Sequence, residues 1–138
     1  MVNDDLKRLI KLFNQMEKLE MIYLDDNFDS SMTEIGDLLC DLLQLEIPLV
    51  GISLAGSKKH KLQDELTVFL KEAAKSEYLE YLNIENNDLG NEAIQNIKKL
   101  LISSKTLKTL KIDRNSFSSI SKIKSLVDAA EACQTLTT

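Results

Sequence analysis

The stretch LEYLNIENNDLGNEAIQNIKKLLISSKTL, residues 79–107, changes its apolar period once, and that change decides the fold. Leu82 and Ile84 alternate with Tyr81, Asn83 and Glu85, the period-two pattern of a short strand with one buried face. From Ala93 onward the period becomes helical, with Ala93, Ile94, Ile97 and Leu101 on one stripe. Asn87 stands between the two patterns, and the segment ends on Leu107, where the strand pattern begins again.

The same order recurs along the chain. LEMIYLDDN starts at Leu19, LVGISLAGS at Leu49, LEYLNIENN at Leu79 and LKTLKIDRN at Leu107, with starts 30, 30 and 28 residues apart. Such fixed spacing is the signature of a repeat architecture. The buried strand positions would be Ile22 and Leu24, Ile52 and Leu54, Leu82 and Ile84, Leu110 and Ile112. Strands are expected around 21–25, 51–55, 81–85 and 109–113, parallel to one another, with five helices. The stripes Ile35, Leu38, Leu39 and Leu42, then Leu66, Phe69, Leu70 and Ala73, and finally Ile123, Leu126, Val127 and Ala130 write three of the helices. Leu6, Leu9, Ile10, Phe13 and Met16 write one that no strand precedes. The domain plan is one unit over 1–138: a capping helix over 1–18, repeats starting at 19, 49, 79 and 107, and a partial fifth start at Leu136. Local chemistry marks several boundaries. Ser31 with Glu34 has capping-box spacing, Asn91 is a plausible helix cap, and Pro48 ends a helix because it lacks a donor and clashes with the turn before it.

These segments resemble the leucine-rich repeat family, and within it the ribonuclease-inhibitor-like class, in which each repeat carries a helix. The match covers nearly the whole chain and is fullest at Leu79, Leu82, Ile84, Asn87, Leu89, Gly90, Ala93, Ile94, Ile97 and Leu101. The resemblance implies an α/β leucine-rich repeat solenoid with a concave parallel sheet and convex helices. Asn27, Asn87 and Asn115 would then turn inward after their strands and satisfy backbone groups of adjacent turns, which loops closing a stack would otherwise bury unpaired. Ser57 stands in the place of the asparagine in the second repeat.

Composition narrows the function. The 138 residues are 43 % hydrophobic and 28 % charged, enough apolar side chain for a core and too little polarity for a disordered chain. A net charge of -5 argues against a nucleic-acid partner held through phosphates. No apolar run approaches a membrane span or a secretory signal. Cys40 and Cys133 sit far apart in apolar helical patterns, and a reducing, cytoplasmic setting is expected. One histidine, two distant cysteines and no Gly-rich phosphate loop leave no catalytic triad, zinc quartet or CxxC motif. No cofactor and no enzyme activity are expected. The row Asp25, Glu85 and Asp113 keeps a hydrolase as a distant third reading.

The leading expectation is a module that binds a protein through the concave face or the rim loops. The candidate contacts on the face are Tyr23, Asp25, Ser53, Tyr81, Asn83, Glu85, Lys111 and Asp113. Tyr23 and Tyr81 flank the small residues Gly51, Ser53 and Ala55, and together they would form a shallow saddle with aromatic anchors. Lys58, Lys59 and Lys61 extend the second repeat's loop, beside an acidic loop, DNFDSS, in the first. His60 among these lysines is expected to be an exposed surface residue. The alternative is a non-catalytic inhibitor or regulator of an enzyme. GTPase-activating members share the scaffold, and Arg114 is the sole rim arginine. Leu136, 29 residues beyond Leu107, begins what should be a fifth strand. An end left open there would continue in a longer chain, associate end to end with a second copy, or use LTT as an incomplete strand.

Overall fold

A computed structural model describes residues 3–32 and 34–137. Among these residues five α-helices alternate with four strands: α1 (Asn3–Phe13), β1 (Met21–Tyr23), α2 (Ile35–Cys40), β2 (Gly51–Ser53), α3 (Leu66–Ala73), β3 (Tyr81–Asn83), α4 (Asn91–Ser103), β4 (Thr109–Lys111) and α5 (Ile120–Ala132). The strands lie side by side in chain order, and all three pairings are parallel. Every crossover therefore steps one place in the same direction. Since such crossovers are right-handed, the connecting helices share one face of the sheet.

Each strand begins where the alternation places it but ends two residues early. The backbone ladder nevertheless runs on: Leu24 N–H donates to Ser53 O, Leu54 to Asn83 O and Ile84 to Lys111 O. The chain turns at Asp26, Asn86 and Arg114, equivalent positions that all adopt the left-handed conformation, with φ of 59°, 57° and 57°. Aspartate and asparagine accept that conformation readily, whereas arginine gains nothing there. We expect Arg114→Asn to raise stability by about 0.5 to 1 kcal/mol, with a higher denaturant midpoint at unchanged slope; a lower midpoint would contradict this account of the turn.

The core lies between sheet and helices. Leu82, Ile84, Leu89 and Phe69 are fully buried, as are Ile35, Leu39 and Leu42 on the α2 side. At the amino-terminal end Leu6 is fully buried, with Leu9, Ile10 and Phe13 packed against the same core. Three local expectations fail. The first helix stops at Phe13, leaving Met16 outside it and half exposed. The Ser31–Glu34 capping box does not form, because the Asp29 carboxylate takes both the N–H and the hydroxyl of Ser31 and Glu34 turns left-handed. Glu65 Oε2 accepts the Gly36 N–H instead, 3.2 Å away. Asn91 opens α4 without capping it. Its carboxamide oxygen accepts the N–H groups of Ser118 and Ser119, tying the fourth turn to the third.

Candidate functional site

Asn87 is the centre of the turns that follow the strands. It is wholly buried, and its carboxamide reaches back one repeat: Oδ1 accepts the Leu62 N–H at 3.0 Å and Nδ2 donates to Leu54 O at 2.9 Å. The same Nδ2 donates to Ile84 O and Glu85 O of its own turn, each at 3.2 Å. Asn115 repeats the pattern one step on, accepting from Asn87 N and Leu89 N and donating to Ile84 O and Ile112 O. Asn27 is half-buried and donates to Asp25 O. Ser57 has no carboxamide with which to bridge backbone groups of the preceding repeat, and it meets that repeat at the Asp26 carboxyl. Its hydroxyl accepts the N–H groups of Lys59 and His60 and closes its own loop.

The two long rim loops are fastened together. His60 Nδ1 lies 2.8 Å from Asp26 Oδ1, and Ser30 N–H donates to Lys61 O at 2.9 Å. Hydrogen bonding from Ser57 and then from His60 holds the Asp26 carboxyl below its ordinary range, because both stabilise the ionised form. His60 is thus half-buried and paired with Asp26, where the sequence suggested an exposed surface residue. Lys58 and Lys59 are exposed at the loop tip, and Lys61 is partly covered. Farther along the rim, Ser30, Gln63, Asp88 and Ser116 form a chain of side-chain hydrogen bonds across all four turns.

On the sheet face away from the helices the candidates separate by exposure. Tyr23 is 67 % exposed, while Lys111 and Asp113 are open and Tyr81 and Glu85 partly covered. Two expected contacts are corrected: Ser53 and Asn83 are buried. Ser53 hydroxyl donates to Asp25 Oδ1 at 2.6 Å, and Asn83 Oδ1 accepts the Glu85 N–H at 3.0 Å. Short polar side chains on the two central strands fold onto neighbouring backbone and carboxylate. Asp25 Oδ1 also accepts the Ala55 N–H, so that carboxylate is committed to the sheet.

The saddle is corrected as well. In register, Tyr81 stands opposite Gly51 and Met21, whereas Tyr23 stands opposite Ser53 and Asn83. The tyrosines lie on different rows, and the Met21 side chain fills the space over Gly51. Alternation could identify the outward face, but not which long side chain would lie over a glycine.

Neither thiol adjoins this face. Burial and nearby acids push the Cys40 thiol up to about 11, which keeps it protonated at neutral pH. Among the described residues no group of three His, Cys, Asp or Glu side chains could hold a metal ion, and no helix is long and apolar enough to cross a membrane.

No family model matches the chain. A curated relative, the Rho GTPase-activating protein gacW of Dictyostelium discoideum, is 29 % identical over 115 residues, which is 80 % of this chain and 10 % of that protein. This chain therefore corresponds to about a tenth of the relative's length. Among solved structures, leiomodin-1 actin-binding site 2 is similar with a TM-score of 0.75 at 16 % identity, covering 96 % of this chain and 74 % of that one. The tropomodulin C-terminal domain of Caenorhabditis elegans gives 0.71 at 17 % identity, covering 96 % and 79 %. At these identities the likeness concerns the fold: a leucine-rich-repeat type of strand–helix array.

Proposed function

We propose that this chain is a non-catalytic, cytoplasmic protein-interaction module, a ribonuclease-inhibitor-like solenoid that receives a protein partner on its uncovered sheet face and adjoining rim. One observation carries the reading: the sheet has its helices on one side only, and the other side presents Tyr23, Lys111 and Asp113 to solvent. The Asn87 and Asn115 networks hold the turns beside that face in place. A partner would meet a prearranged surface and lose little ordering entropy on binding.

The alternative of a non-catalytic regulator of an enzyme uses the same face, and it draws support from the likeness to part of a GTPase-activating protein. Fold does not carry a partner across. The leiomodin-1 structure is an actin-binding site, which makes actin the first protein to test.

Tyr23, as the exposed aromatic, should dominate the half-covered Tyr81. Against a partner found by co-sedimentation with actin, or by affinity capture where actin does not bind, Tyr23→Ala should weaken binding about 30-fold, the effect of losing about 2 kcal/mol. Replacing Lys58, Lys59 and Lys61 together by glutamine should change mainly the association rate and its salt dependence. Intact affinity in Tyr23→Ala with binding abolished in the triple change would move the functional surface from the sheet face to the rim loop.

A further inference from the structure

The flank of α5 that faces away from α4 has properties the sheet face does not share. On its near side Lys122 and Ser125 line a groove with Ile94 and Lys98, and Ser125 Oγ accepts from Lys98 Nζ at 2.5 Å. With 3.6 residues per turn, the opposite flank carries Ile120, Val127 and Glu131, with Lys124 beside them. Ile120 is 84 % exposed and Val127 48 %. The neighbouring Leu110, Ile112, Phe117 and Ile123 are only partly buried, although their counterparts one repeat earlier, Leu82, Ile84, Leu89 and Ile94, are at most 2 % exposed.

Charge along α5 runs against its own dipole. Lysines occupy the first half, at Lys122 and Lys124, while Asp128 and Glu131 occupy the second, although a helix favours acids at its start and bases at its end. The order has a different use when two such helices lie antiparallel.

We propose that this flank of α5 is the contact surface for a second copy of the chain, with the two helices antiparallel about a two-fold axis passing between Val127 and Asp128. Lys124 of each copy then faces Glu131 of the other, and Val127 of both copies lies at the centre, covered from water. An isologous contact must be self-complementary in this way. A parallel arrangement would set Lys124 on Lys124. The same axis, normal to the sheet, brings the two β4 edges side by side. Thr137 already covers the start of that edge, since its N–H and hydroxyl both donate to Lys108 O in the manner of a fifth strand.

Sedimentation equilibrium of the 138-residue chain tests this over roughly 5 µM to 1 mM, the range suited to an interface smaller than the standard size. The expected result is a reversible dimer. Lys124→Glu and Glu131→Lys should each raise its dissociation constant at least about tenfold. An equimolar mixture of the two variants should dimerise again, because every cross-pair then joins opposite charges. Val127→Ser should weaken the dimer without any charge change. These side chains are exposed, and circular dichroism of each variant establishes that it is folded. A monomer throughout the range would overturn the proposal and leave the flank to another repeat or another protein. A dimer that neither swap weakens, or a mixture that does not recover, would overturn it equally.

Discussion

Replacing Asn87 by alanine should cost about 3 kcal/mol of folding free energy, more than Asn115→Ala and far more than Asn27→Ala. The ranking follows from what each carboxamide serves. Asn87 satisfies Leu62 N–H and Leu54 O across one repeat boundary and Ile84 O of its own turn, all buried, and also holds the part-buried Glu85 O. Alanine leaves those groups buried and unpaired, at a cost of about 1 to 3 kcal/mol for each that cannot relax to solvent. Asn115 makes comparable bonds in a half-buried setting, where water can replace part of them. Asn27 lies in the first turn, which has no earlier turn to serve. Urea unfolding of the three alanine variants measures the order. An Asn27→Ala loss equal to that of Asn87→Ala would mean that the carboxamides act through local turn propensity rather than through links between repeats.

Much of this arrangement is legible in the sequence because repetition multiplies weak local signals. One LxxLxL segment is ambiguous, whereas four in phase specify parallel strands in chain order, and the helical stripes place Ile35, Phe69, Ile97 and Leu126 in the core where the structure has them. Two of the failures depended on competition among polar groups. The capping box at Ser31 was lost to Asp29, two residues earlier, and Asn91 serves the next turn rather than its own helix. Spacing describes which bonds a residue can make, not which of several acceptors wins. The binding face shows the same limit. Period-two alternation assigned Tyr23, Ser53 and Asn83 to one side, but neighbours 28 and 30 residues away change what that side exposes: Ser53 bonds Asp25, and Met21 lies over Gly51. The pairing of His60 with Asp26 was foreshadowed only by the equal loop lengths of the first two repeats.

Two glycines of the second repeat should respond oppositely to the same substitution, and the contrast separates stability from binding. A Cβ on Gly56 would lie 2.2 Å from Asn86 O, 2.6 Å from His60 O and 2.8 Å from Asn87 Oδ1. Two of these are backbone atoms and the third belongs to the buried Asn87 carboxamide, so none can move without opening the turn network. Gly56→Ala should lose about 2 to 3 kcal/mol, the usual cost of forcing a methyl into a packed site. A Cβ on Gly51 would instead meet Met21 Sδ at 2.1 Å, with Tyr81 Cβ at 3.0 Å. The thioether is the flexible end of an unbranched side chain and can swing outward, while alanine is better suited to a strand than glycine. Gly51→Ala should therefore stay within about 1 kcal/mol of the parent in denaturant unfolding. Displaced methionine would alter the surface beside Tyr81 without loosening the fold. A partner held on the sheet face should consequently bind Gly51→Ala with changed affinity at unchanged stability. Equal destabilisation by the two changes would mean that Met21 is locked in place and that the face is more rigid than its side chains imply.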